Sequence, residues 1–296
     1  MPLASIVIRT KNEERWLGRV LKAIAQQTWA EREVIVVDSG STDTTLTIAR
    51  HDSAKIVELA PRSFTYGRAL NRGVQEAKGE FIVALSGHAV PASQTWLATL
   101  LAPLKDPIVG AVYGRCIPLP GCNPFDAKAI RCHFGTQRQI QTANHRFSNA
   151  NGAWRKDVWE FEQFDERLPA TEDQAWAAAL LRRGFVIVYE PKAVVCHSHN
   201  RTPAQIFRTT QAEVAAMKWL DQSSEQWSVA KMLWLWARST LGGWRTTWQY
   251  RSHWRWWLYC PTYYLAQQYG YYRGLRDPLF STYPHAHPQD RPPVSA

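Results

Sequence analysis

Val34-Ile35-Val36-Val37 is an unbroken β-branched run, and it stops at Asp38. A strand that is apolar on both faces must be covered on both. That is the situation of a parallel sheet flanked by helices. The same punctuation recurs upstream and downstream. Ser5-Ile6-Val7-Ile8-Arg9 reads as a strand, followed by a helical pattern over 13–27 through Leu17, Val20, Leu21 and Ile24. Ser41-Thr42-Asp43-Thr44 offers N-caps for a helix to about residue 50. A short strand over 55–59, a helix over 67–77 and a strand over 80–85 complete the alternation, which predicts an α/β fold. A helix over 95–104 and a strand over 110–115 come next. Residues 118–148 read as irregular, with one helix near 126–137. Thr171 is positioned to cap a helix over 172–183, which Gly184 closes, and a last short strand covers 185–188. Three segments are expected: a catalytic or binding domain over 1–202, a helical Trp-rich region over 203–276, and a Pro-rich tail over 277–296.

Composition narrows the class. With 45% apolar and 20% charged residues, the chain can build a sizeable core and is not a disordered or stapled polypeptide. No stretch approaches the roughly 20 apolar residues of a spanning helix, and no signal peptide is expected. Five cysteines without a CxxC pair predict reduced thiols and a cytoplasmic setting. The net charge of +10 favours anionic partners.

Ligands of open α/β sheets bind beyond the carboxyl ends of the strands. Three such ends carry short polar residues: Thr10-Lys11-Asn12-Glu13, Asp38-Ser39-Gly40-Ser41-Thr42-Asp43 and Ser86-Gly87-His88. That recurrence points to a nucleotide or phosphate site. A P-loop and a G-x-G-x-x-G fingerprint are both absent from the sequence, so carboxylates and hydroxyls would bind it.

Residues 5–14 (SIVIRTKNEE) and 33–44 (EVIVVDSGSTDT) together resemble the opening of the family 2 glycosyltransferases. Residues 64–73 (FTYGRALNRG), Glu172-Asp173 and His197-Ser198-His199-Asn200 extend the resemblance over residues 3 to 210, and it is nearest to bacterial rhamnosyltransferase-like members. It implies the GT-A fold: a mixed, mostly parallel sheet covered by helices, here with a helical Trp-rich extension. It also implies inverting sugar transfer to a growing surface glycan. Rhamnose from a dTDP donor is the first expectation, a UDP-hexose donor the alternative, and an inactive nucleotide-sugar-binding protein the rival class.

By that resemblance Thr10, Asn12 and Glu13 line the nucleoside pocket, Asp38 bonds the base, and Ser41 and Asp43 shape the same loop. Arg68 and Asn71 face base, ribose or diphosphate. Asp173 is the base that deprotonates the acceptor, which an inverting displacement requires. Glu172 positions a loop, and Asn151, Gly152 and Trp154 lie on the acceptor side, with Trp154 as a platform for a sugar ring. The family's Asp-x-Asp is replaced by Ser86-Gly87-His88. A divalent metal (Mn or Mg) therefore has His88 and His199 as candidate ligands, of which imidazole suits Mn²⁺ better. A metal-poor site that neutralises diphosphate through Arg68 is the alternative.

Nine tryptophans fall between Trp219 and Trp257, mixed with Arg238, Arg245, Arg251 and Arg255. Two readings stand: peripheral contact with the inner face of the cytoplasmic membrane, beside a lipid-linked oligosaccharide acceptor, or packing in a homodimer. Nucleic acid is not an expected partner.

Overall fold

The computed structural model describes residues 3–277 apart from 53, 144, 222–224 and 250–252. The chain forms two compact units. The first comprises Met1–Leu119, Ile130–Glu166 and Glu172–Ser198, and the second Pro120–Ala129, Arg167–Thr171 and the chain from His199 onward. The second unit thus takes two short segments from within the expected first domain and starts at His199 instead of residue 203. The Pro-rich tail expected over 277–296 lies, after Asp277, outside the described residues.

The first unit is built on one nine-stranded sheet in the order β3-β2-β1-β4-β8-β6-β9-β5, with β7 also pairing β9. The strands are β1 (Ala4–Thr10), β2 (Arg32–Asp38), β3 (Lys55–Glu58), β4 (Phe81–Ser86), β5 (Val90–Pro91), β6 (Val109–Ile117), β7 (Gln139–Gln141), β8 (Asn151–Arg155) and β9 (Val186–Cys196). β3, β2, β1 and β4 run parallel, and β8 runs against both β4 and β6. The helices are α1 (Leu17–Ala25), α2 (Thr45–His51), α3 (Tyr66–Gln75), α4 (Trp96–Leu101), α5 (Pro124–His133), α6 (Lys156–Phe161) and α7 (Glu172–Arg182). The periodicity read from sequence is met in α1, where Leu17, Val20, Leu21 and Ile24 are the buried face. In α3, a Cβ on Gly73 would collide with Val7 and Val37, so the glycine lets the helix lie close on β1 and β2. The parallel register puts Thr10 opposite Asp38 and Arg9 opposite Ser86. Three polar strand ends therefore emerge side by side at one edge.

Two expectations fail, each for a physical reason. Residues 151–154, read as an acceptor-side loop, are the central strand β8. The resemblance put them on the acceptor side, yet Trp154 is fully buried, its ring 5.3 Å from Phe164 and 5.2 Å from Trp176. A ring packed on all sides cannot stack on a sugar. Asn151 Oδ1 accepts from Trp96 Nε1 at 2.9 Å, and its Nδ2 donates to the carbonyl of Ala193 at 2.9 Å. A Cβ on Gly152 would press on Phe147 and the Ser148 carbonyl at 2.8 Å. All three residues are scaffold. β9, expected to end at residue 188, continues to Cys196, because a register shift between Gly114 and Arg115 of β6 absorbs Pro191 as a bulge.

The second unit contains α8 (Pro203–Asp221), α9 (Val229–Gln249) and α10 (Arg255–Gly274), with Phe125, Ile206, Cys260 and Tyr263 in its core. Pro261 inside α10 has no N–H to give the carbonyl of Trp257. That carbonyl instead accepts Trp244 Nε1 from α9 at 3.0 Å, and Trp236 Nε1 bonds the Pro261 carbonyl at 2.9 Å. Several tryptophans are thus structural.

Trp154→Ala is expected to cost about 3–5 kcal/mol of stability, as for a large aromatic removed from a packed core. Denaturant unfolding measures this. An unchanged midpoint would contradict a packing role.

Candidate functional site

The aligned strand ends are locked by one carboxylate. Asp38 is 1% exposed. Its Oδ2 accepts the backbone N–H groups of Gly40 at 2.9 Å and Ser41 at 2.8 Å, and its Oδ1 accepts the Ser41 hydroxyl at 2.5 Å and the Thr10 hydroxyl at 3.2 Å. Four donors satisfy the four lone-pair directions of a carboxylate. Asp38 therefore shapes the loop, with its oxygens engaged within the chain where the resemblance had it bond the base. The neighbouring loops are stitched in the same way. Asn12 takes a left-handed conformation (φ 56°), common for Asn, from which its Oδ1 accepts Thr42 N at 2.8 Å. Its own N–H donates to Ser41 Oγ at 2.8 Å, Glu13 N donates to Thr45 Oγ1 at 2.7 Å, and Glu14 N donates to Asp43 Oδ2 at 3.2 Å.

Arg68 and Asn71 are also committed to the protein. Arg68 Nε pairs with Glu166 Oε2 at 2.8 Å and Nη1 with the Ser63 carbonyl at 2.9 Å. Asn71, 1% exposed, donates to the Phe164 carbonyl and Glu166 and accepts from Trp159 Nε1 and Phe164 N. Asn71 cannot face a ligand, and Arg68 already has a counterion. Sequence reading overlooked Glu166, the acid that joins them.

At the end of β4, Gly87 N donates to the Arg9 carbonyl at 3.0 Å, an approach that a larger residue would obstruct. The turn presents Ser86 and His88. His88 Nδ1 lies 2.6 Å from Glu13 Oε1, and its ring stacks on His197 with centroids 4.7 Å apart and planes 12° from parallel. The ring stacked on His88 is thus that of His197, the other histidine of the pair weighed in the sequence, and His199 opens the second unit. A divalent transition metal fits this donor set. The imidazoles supply nitrogen ligands, and a carboxylate on the far ring nitrogen orients a metal-binding His. The set suits Mn²⁺ better than Mg²⁺, which prefers oxygen.

The acid pair opens α7. Glu172 is buried, and its Oε1 accepts Arg9 Nη1 and Asn149 Nδ2, each at 3.1 Å. Through the second of these bonds it is tied to Asn149. Asp173 Oδ1 accepts Gln174 N at 2.9 Å, and Oδ2 accepts Asn149 N at 3.4 Å. Burial, and then the negative charge of Glu172, push the Asp173 carboxyl up to about 7, against the opposing pull of Arg9. Thr171 does not cap the helix as expected: its φ is 60° and its hydroxyl has no hydrogen-bond partner among the described residues. Arg9 escaped sequence reading, although it is the one charge in an otherwise buried strand. The site thus gathers a carboxylate poised near neutrality, an Arg–Glu pair beside it, and a histidine pair at neighbouring strand ends.

Residues 5–189 match the family model "Glycosyl transferase family 2". The chain belongs to this family. The glycosyltransferase is 31% identical over 221 residues to the O-antigen chain rhamnosyltransferase WbaN of Salmonella anatum, covering 70% of each chain. It is 29% identical over 216 residues to RfbN of Salmonella typhimurium, again an O-antigen chain rhamnosyltransferase, covering 69% of each. Among solved structures it resembles the mannosyltransferase PcManGT of Pyrobaculum calidifontis, in complex with GDP-Man and Mn²⁺. The TM-score is 0.65 at 20% identity, over 95% of this chain and 88% of that one. The fold is GT-A.

Asp38→Ala is expected to lower the unfolding free energy by about 1–3 kcal/mol without any nucleotide present, because buried donors lose a charged acceptor. A residue that only read a base would leave ligand-free stability unchanged in a denaturant titration.

Proposed function

We propose that this glycosyltransferase moves rhamnose from dTDP-rhamnose to a hydroxyl of a lipid-linked surface glycan, with inversion at the anomeric carbon. The kinship with O-antigen rhamnosyltransferases supports the substrate class. The observation that carries the chemistry is Asp173, an acid at a helix start with its carboxyl raised to about 7. A base is most effective when its pKa lies near the working pH. Asp173 would take the acceptor proton as the acceptor oxygen bonds the anomeric carbon. The bond to the donor's diphosphate breaks with its electron pair on the leaving oxygen. The backbone N–H groups of Gln174 and Asn149 hold the carboxylate, and Glu172, paired with Arg9, holds the Asn149 side chain beside it. His88 and His197, with Glu13 behind His88, and His199 as a further candidate, would hold the divalent ion, whose charge stabilises the leaving diphosphate. The bonds of Asp38, Asn12, Ser41 and Asp43 preform the nucleoside pocket.

A lipid-linked acceptor would be met at the inner face of the cytoplasmic membrane. No helix among the described residues is long and apolar enough to cross a membrane. One row of α9 instead reads Trp234, Arg238, Leu241, Arg245 and Trp248, all exposed, with the Arg238 guanidinium 5.4 Å from the Trp234 ring. α9 and α10 together contain no Asp or Glu. An exposed face of aromatic and basic residues without acids is the composition of an interfacial helix on anionic lipid. Arg251, also expected there, lies outside the described residues.

Two experiments test the reading. Transfer should rise as pH passes through the Asp173 ionisation near 7, and Asp173→Asn should reduce it roughly 10²–10⁴-fold. The same raised pKa means the native state loses stability between the ordinary carboxylate range and about pH 7 as the buried acid ionises. Asp173→Asn should therefore melt higher than wild type at pH 8 while being inactive; wild-type transfer by the variant excludes Asp173 as base. With dTDP-rhamnose, NMR of the product should show the inverted anomer, and turnover of a UDP-hexose alone would replace the donor assignment. Separately, Arg238→Gln/Arg245→Gln should weaken co-sedimentation with anionic liposomes, and wild-type binding should fall with salt without vanishing. A dimer with no liposome binding at any salt would leave these side chains as packing.

A further inference from the structure

The second unit contains an open cleft of about 520 Å³, within the range of ligand pockets. Its walls include Asn123, Asn200, Arg201, Arg255, Trp256 and Tyr259, and no acidic residue lines it. The walls are built and held. Tyr259 Oη donates to the Arg201 carbonyl at 3.1 Å, and Asn200 Oδ1 accepts Asn123 N at 3.3 Å. Asn123 Nδ2 in turn donates to Asp126 at 2.6 Å, and the other oxygen of Asp126 accepts Tyr263 Oη at 2.5 Å, so that carboxylate is spent on the scaffold. Arg255 lies over the Trp256 ring at 4.7 Å. The starts of α5, α8 and α10 all reach the cleft through Asn123, Pro203 and Arg255, which adds the positive ends of three helices to two guanidinium groups. Guanidinium pairs with phosphate oxygens in bidentate fashion, and Trp and Tyr faces accept apolar chains or sugar rings. On the adjoining face of α10, Trp254 and Leu258 are exposed, each one residue before a lining position.

We propose that this cleft binds the diphosphate of a prenyl-diphosphate-linked acceptor, with Arg201 and Arg255 on the phosphates and Trp254 and Leu258 beside the start of the prenyl chain. The proposal rests on the lipid-linked acceptor of the preceding reading and names how that acceptor is held.

The test is calorimetric titration of the full chain, without donor sugar, using geranyl diphosphate, geranyl monophosphate and inorganic pyrophosphate. Geranyl diphosphate should bind most tightly. Arg201→Gln and Arg255→Gln should each weaken it about 10–100-fold, the range expected for a lost charge-assisted bond, and Arg255→Lys should recover part of the loss. Arg255 is exposed, so its variant remains informative if Arg201→Gln proves unstable. Equal affinity for pyrophosphate would overturn the lipid assignment in favour of a free-phosphate site. Wild-type affinity in both Gln variants, or full displacement of geranyl diphosphate by dTDP, would overturn the cleft and place the diphosphate in the donor pocket. Because binding is read without transfer, a different donor sugar would leave this result standing, whereas a failed titration leaves the Asp173 chemistry untouched.

Discussion

The architecture of the site depends on the Asp38 carboxylate. Parallel pairing delivers Thr10 and Asp38 to the same level of the sheet, but it does not fix the loops that follow them. Four hydrogen bonds to one buried carboxylate do so. They tie the β1 end to the β2 loop, and the Asn12–Thr42 and Glu13–Thr45 bonds then close the second loop onto the first. Polar residues that look available to a ligand in one dimension are largely consumed in making a rigid rim. Preorganisation of this kind lowers the ordering cost of binding.

The second constraint is electrostatic. Glu172 and Asp173 are adjacent acids in a poorly solvated place, with the Arg9 guanidinium set against them. Arg9 bonds Glu172 directly, so Glu172 remains a stable anchor for Asn149. Asp173 receives the residual repulsion and the desolvation. One cation shared unequally between two acids thus separates an ion-paired carboxylate from one that keeps its proton to near neutral pH, in the manner of paired acids driven apart by environment.

The parallel half of the sheet was legible because β-branched runs and amphipathic spacing are local signals, and α1, α3 and β2 follow them closely. Asp173 and Glu172 were singled out through the family resemblance, not through any local signal of their own. β8 was not legible, because its Asn-Gly-Ala-Trp composition signals a turn and only the pairing with β4 and β6 makes it a strand. The same limit misassigned Trp154, Asn151 and Asn71. Sequence reveals that a side chain is polar or aromatic, not whether distant residues have already satisfied it. Glu166 was missed, and His197 ranked behind His199, for the converse reason, since their partners lie about 100 residues away and 109 residues away (88 to 197) in the chain.

Pro261 bears on how the C-terminal helices come apart. The carbonyl it leaves unbonded within α10 is answered by an indole of α9, and the next tryptophan contact on α9 takes the carbonyl of Pro261 itself. Side chains of α9 therefore complete the backbone bonding of α10 at its weakest point. Fraying of one exposes unpaired groups in the other, so the two should open together as a single cooperative segment, with amide protons near the proline exchanging at a common rate rather than by separate end-to-end unwinding.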